Sequence, residues 1–239
     1  DDAVINESLK KIEQVVGTVL IGVAGVAPHI GCTHTAISIA KHLVEKGNTV
    51  ALVEGNHSQD FDRIHSLYEG ANKTLRIPNF ELNGIMHFKY RDELDLNVIF
   101  TTYEYVVMDF GLLEESPYRE EFNRSHVKCV VTSADEWKFY WNEDFLHIYK
   151  DLDNLAFIVP NATKKITDDL AARLKKYPAF PMPRHDNPYD LTDATNKVLS
   201  YIFGKFYKKP STVPAKTLIL VSIGSVAVTA CVFAAILLL

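Results

Sequence analysis

The sequence predicts an α/β fold, a doubly wound and mostly parallel sheet in three layers. Three observations carry this. Strand and helix candidates alternate along most of the 239 residues, the strand candidates are short apolar runs, and a glycine-bounded loop joins the first strand to a helix. Val19–Val23 is rich in β-branched residues and reads as a strand buried on both faces. The loop Gly25–Gly31 follows. From Thr33 to Glu45 the residues Ala36, Ile39, Ala40, Leu43 and Val44 recur at helical spacing, with Gly47 placed to end the helix. Thr49–Val53 is the next strand. The unit is therefore strand, loop, helix, strand, and its loop lies at the carboxyl edge of the sheet, where ligands bind. Backbone N–H groups and the positive end of the helix dipole make phosphate the natural ligand there.

The rest of the chain continues the alternation. Phe61–Gly70 predicts a helix, Phe80–Phe88 and Leu96–Thr101 predict strands, and Tyr105–Met108 is an apolar strand ending in Asp109. Val127–Thr132 and Ala156–Pro160 read as strands, and Ala134–Asp144, Thr167–Lys176 and Leu191–Phe203 as helices. Trp137, Tyr140 and Trp141, at helical spacing, are read as core. Before the domain, Asn6–Val16 carries Leu9, Ile12 and Val16 on one face and predicts a lead-in helix or linker over residues 1–17.

The loop and the residues after three strands resemble the ParA/MinD group of P-loop ATPases with a deviant Walker A motif, K-G-G-x-G-K-[ST]-T. Against that motif stand Ala27, Pro28, His29, Ile30, Gly31, Cys32, Thr33 and His34. Gly31 and Thr33 match. Ala27 replaces the signature lysine that in the family reaches a dimer partner's nucleotide, and Cys32 replaces the lysine that grips the terminal phosphates. Pro28 removes an N–H donor, and His29 takes the place of a glycine. Glu54 and Asn56 stand where the family carries a pair of aspartates, and Asp109 matches the Walker B aspartate. Asn161 resembles an asparagine that contacts the base, and Met182–Leu191 the adenine-side loop.

The resemblance spans residues 18–204 and implies a P-loop NTPase-type domain. It implies ATP or ADP with Mg2+ as cofactor, weakly held or absent. Pro28 to His34 and Asn161 would bind it, Thr33 and Asp109 would hold the metal, and Glu54 and Asp109 would be catalytic if the protein is active. Each lysine contact to phosphate is a charge-assisted bond of about 1.5 to 3 kcal/mol. Losing two should weaken binding by several tenfold steps and leave transition-state charge unneutralised. Histidine is mostly neutral at pH 7 and compensates poorly. A pseudo-ATPase is therefore expected ahead of an active ATPase with a compensated loop or a nucleotide-free scaffold. The TadZ/CpaE branch of the family suggests a positioning or assembly factor for a membrane apparatus, such as a pilus or secretion system.

Thr217–Leu239 contains no charge and no proline and is long enough as a helix to cross a bilayer. It predicts a single-pass, tail-anchored protein. Lys205, Lys208, Lys209 and Lys216 precede it, so the globular domain is expected in the cytoplasm at the inner membrane, with the C-terminus outside. Residues 205–216 form a basic juxtamembrane linker. Eleven of the 25 basic residues fall in 164–216 but only five of the 30 acidic ones, which suits an anionic leaflet. The acidic remainder argues against nucleic-acid binding, so the expected partners are the lipid bilayer and either a second copy or apparatus proteins. Three scattered cysteines imply a reducing compartment. No cluster has zinc spacing, and no nucleophile elbow is present.

Overall fold

The structure, a computed structural model, describes residues 17–70, 76–92, 94–150 and 152–206. The predicted lead-in helix, most of the basic linker and the apolar stretch 217–239 lie outside the described residues. Among the described residues no helix is long and apolar enough to cross a membrane.

Eight strands form one sheet: β1 (Val19–Gly25), β2 (Val50–Glu54), β3 (Asn79–Leu82), β4 (Ile85–Phe88), β5 (Tyr105–Leu112), β6 (Val127–Val131), β7 (Leu155–Pro160) and β8 (Ala179–Met182). Their order is β3-β4-β2-β5-β1-β6-β7-β8, and every pairing is parallel except β3 with β4. Among the described residues six helices connect them, α1 (Cys32–Glu45), α2 (Asp60–Glu69), α3 (Leu96–Thr102), α4 (Arg119–Arg124), α5 (Tyr140–Ile148) and α6 (Lys164–Leu174), and α7 (Asp193–Phe203) follows β8. The doubly wound, mostly parallel architecture matches the expectation.

The strands were legible because burial on both faces requires continuous apolar runs. All seven residues of β1 and all five of β2 and of β6 are buried. On one face Leu20, Val106, Phe110 and Phe157 pack with Phe122 of α4, Phe145 of α5 and Leu170 of α6. α1 and α7, which touch each other, cover the other face with Ala36, Ile39, Leu43, Leu199 and Ile202.

Three expectations need correction. Phe80–Phe88 is a hairpin, not one strand: Asn83 and Gly84 both have positive φ, 53° and 79°, the signature of a two-residue type I′ turn. Leu96–Thr101 is helical. Asp95 caps that helix by accepting from the N–H groups of Asn97 and Val98 at 3.0 and 3.4 Å, and this end effect outweighs the β-branched composition. The aromatic group is not core: Trp137 is 74% and Tyr140 53% exposed, while Trp141 is half-buried. The helix predicted from Ala134 instead begins at Tyr140, after a 3-10 turn. β8 and α4 were not foreseen; both are short.

β1 approaches α4 closely at one point. A Cβ on Gly22 would lie 2.7 Å from Phe122 Cδ2 and 2.9 Å from Ser125 Oγ. Gly22→Ala is therefore expected to lower unfolding stability by about 1 to 3 kcal/mol through overpacking, read as a shifted urea midpoint with an unchanged slope.

Candidate functional site

The carboxyl ends of β1, β2 and β5 converge because these strands are neighbours. Glu54 is in register with Asp109, and Asp109 with Val23. The β1–β5 register shifts just beyond Val23, and Gly111, at φ 58°, takes up the irregularity. Asn56 locks the same corner: its side-chain amide donates to the Asp109 carbonyl at 2.9 Å, and the Gly55 N–H donates to it at 2.8 Å.

The loop after β1, residues 26–31, carries most of the positions compared with the family motif. Gly31 is left-handed, φ 99°, and leads directly into α1. Among the described residues the backbone N–H groups of Gly31 and Thr33 make no backbone hydrogen bond and the Cys32 N–H faces its own Sγ, all three at the N-terminus of α1. Val26 N–H donates to Val131 O at 3.1 Å and ties the loop to β6. His29 adopts φ 56°, a glycine-like conformation that costs a side chain on the order of 1 kcal/mol. The glycine is lost in sequence, but its backbone geometry is retained.

The lysine position is occupied differently. Cys32 is buried, and its Sγ turns back over the strand end: it lies 3.8 Å from Gly111 O and would be 2.5 Å from a Cβ on Gly25. Burial first, and the Asp109 charge second, push its thiol well above the usual range. It stays neutral. Ala27 is also buried.

Around Thr33 the charges are acidic. Asp109 is fully enclosed, and its Oδ2 has no hydrogen-bond partner, whereas Oδ1 accepts from Gly111 N–H at 3.1 Å. Burial is the main force raising its carboxyl from the ordinary 3.8 to about 6. The nearby Thr33 hydroxyl and the Gly111 N–H oppose this, while the charges of Glu54 and Asp60 add to it. The Thr33 hydroxyl points to Asp60 Oδ2 at 3.5 Å, and Asp60 pairs through Oδ1 with Arg63 at 2.7 Å. Sequence reasoning missed Asp60. Its signal was a carboxylate in the first turn of a helix that follows the Glu54 strand.

Glu54 is differently placed. Its Oε1 accepts from Phe61 N–H at 3.1 Å and the Ser58 hydroxyl at 3.2 Å, and its Oε2 from Tyr90 N–H at 3.1 Å. Burial raises its carboxyl and these three bonds oppose the rise. The carboxylate thus fastens the start of α2 and the segment after β4. Asn161, left-handed at φ 58°, follows β7 and donates its N–H to Met182 O at 2.8 Å. Pro160 beside it lies against Gly31, so the end of β7 does reach the loop. His34 leaves the first turn of α1 toward His185, in the loop after β8. Among the described residues no group of three or more His, Cys, Asp or Glu side chains is placed to hold a metal ion.

No protein-family model matches the chain, and no curated protein matches its sequence. Solved structures do match its fold. A putative plasmid partition protein from Borrelia burgdorferi bound to AMPPNP is 15% identical with a TM-score of 0.58, covering 79% of this chain and 98% of that one. The MinD cell division protein of Aquifex aeolicus is 13% identical with a TM-score of 0.58, over 81% and 99%. A ParA family ATPase from Chlorobium tepidum is 15% identical with a TM-score of 0.52, over 79% and 91%. The fold is that of the ParA/MinD P-loop ATPases.

The burial of Asp109 sets a pH dependence. Its carboxyl binds a proton more tightly folded than unfolded, so the folded state holds the extra proton between pH 3.8 and about 6, and stability falls as pH rises through that window. The loss is on the order of 2 to 3 kcal/mol. Asp109→Asn is expected to flatten this slope and to be more stable than the natural chain near pH 7, measured by denaturant unfolding across the pH range.

Proposed function

We propose that this is a ParA/MinD-type protein of the TadZ/CpaE kind, with a degenerate nucleotide site, held at the membrane by residues 217–239. It serves as a positioning or assembly factor for a membrane apparatus such as a pilus or secretion system. One observation carries the reading: the loop keeps its amide cradle while Cys32, at the lysine position, folds back as a neutral buried thiol. Shape alone gives hydrogen bonds, but the loop, residues 25–34, carries no lysine or arginine to balance a polyphosphate beside Glu54, Asp60 and Asp109. Nucleotide binding is therefore weak and hydrolysis absent or very slow.

The retained groups fit magnesium. Thr33 Oγ1 and the unpartnered Asp109 Oδ2 would hold the ion's shell, and the ion would supply the positive charge that the loop lacks. This supports a second reading, an ATPase whose charge balance rests on the metal, in which Asp109 is essential. Glu54 serves in either reading by fixing α2, because its oxygens are already engaged. A second copy across the loop face, the bilayer and apparatus proteins are the partners we assign; nucleic acid is not.

Titration with a fluorescent ATP analogue, with and without Mg2+, separates the readings. The natural chain is expected not to saturate in the micromolar range. The double substitution Ala27→Lys with Cys32→Lys is expected to gain at least about tenfold in affinity. Tight Mg2+-dependent binding by the natural chain, with phosphate release abolished by Asp109→Ala, would establish the ATPase instead. Removal of residues 217–239 is expected to move the protein from the carbonate-resistant membrane fraction to the soluble one; unchanged fractionation would refute the anchor.

A further inference from the structure

Two imidazoles meet beside the loop in an arrangement that the nucleotide reading does not use. His34 Nε2, in the first turn of α1, lies 3.1 Å from His185 Nε2, and Ser38 Oγ, one turn further along α1, lies 2.9 Å from the same His185 atom. Both histidines are half-buried, and so open on one side to water.

The angle of approach is informative. A linear N–H···N bond at this separation would hold the two ring centres about 5.4 Å apart. They are 4.6 Å apart, with the ring planes inclined at 59°. Two imidazoles bound to one ion at about 2.05 Å with a right-angle bite would place their nitrogens about 2.9 Å and their ring centres about 4.5 Å apart, and a tetrahedral bite would widen the nitrogens to about 3.3 Å. The observed 3.1 Å falls between these bites. The 4.6 Å between ring centres matches the right-angle bite, a tetrahedral one placing them about 5.2 Å apart, and is shorter than a linear N–H···N bond allows.

The surrounding bonds favour the same use. His185 Nδ1 lies 2.9 Å from Pro183 O, so its N–H donates there and leaves Nε2 with a bare lone pair. A backbone carbonyl behind the second nitrogen is the arrangement that usually orients metal-ligating histidines. With the Ser38 hydroxyl proton donated to His34 O at 2.8 Å, its oxygen and His185 Nε2 are two acceptors 2.9 Å apart, a contact that a bound cation would relieve. Movement of the single proton of neutral His34 from Nε2 to Nδ1 frees its lone pair without any net proton change.

We infer that His34 and His185 form a bis-imidazole site for a borderline divalent transition ion such as Ni2+, Zn2+ or Cu2+, completed by water and the Ser38 oxygen. Two protein nitrogens give an open site of modest affinity, and imidazole ligation separates it from Mg2+, which prefers oxygen donors. Its consequence is mechanical. The ion clamps α1, two residues beyond Cys32, to the 183–189 segment, whose other end is already fixed by Tyr189 against buried His87 at 2.9 Å.

The test is calorimetric titration of the full, untagged chain with Ni2+. One saturable equivalent at micromolar affinity is expected, unaffected by millimolar Mg2+. His34→Gln and His185→Gln should each weaken it by about tenfold or more. Paramagnetic broadening in the natural chain supplies a readout that does not depend on variant folding: among the nine histidines, His34 and His185 should broaden first. Absence of saturable binding, unchanged affinity in both variants, or earlier broadening at other histidines would overturn the assignment.

Discussion

The pairing of β1 with β5 on one side and β6 on the other is the constraint on which this molecule depends. β1 is buried along its whole length and sits within an eight-stranded sheet, so its direction fixes where the chain must emerge. It emerges at Gly25, between the ends of β5 and β6, and the loop that follows can only run across their carboxyl edge. The β1–β5 pairing sets buried Asp109 beside Val23, and the pairing of β5 with β2 on its other side sets it beside Glu54. The loop's position and the acidic floor are thus results of two adjoining registers that share β5. Neither requires the loop to retain lysine.

Shape and charge at this corner are specified separately. Loop shape is specified by strand register, by left-handed Gly31 and His29, and by the Val26 tie to β6. Charge is specified by side chains, and those at this corner are acidic or neutral. The Cys32 thiol closes over Gly25 and lies 3.8 Å from Gly111 O. What remains is an electrostatically lopsided corner: three carboxylates near Thr33, one of them with an unpartnered oxygen, with Arg63 engaged with Asp60 on the exposed side.

The sheet was legible in the sequence because strands buried on both faces must be uninterrupted apolar runs, and the phosphate loop because glycine and strand–helix punctuation mark it. Two of the misreadings passed over short local signals, and the third depended on tertiary placement. The type I′ hairpin turned on the dipeptide Asn83-Gly84, the helix at Leu96 on one capping aspartate, and the aromatic cluster on which side of α5 faces water. Thr33, Gly31 and Asp109 were singled out by the resemblance to a family motif, and the structure brings them to one corner of the sheet. The structural engagement of Glu54, the approach of Asp60 and the meeting of His34 with His185 depend on contacts between residues distant in sequence or on loop paths that no periodicity encodes.

The central claim is that the cradle is intact and its grip is weak, and backbone amide NMR tests both halves in one titration. Addition of Mg·ATP to the natural chain should shift the amides of Gly31, Cys32 and Thr33 progressively, in fast exchange, without saturation before the millimolar range. Saturation of those amides at micromolar nucleotide, or shifts confined to residues elsewhere, would contradict it.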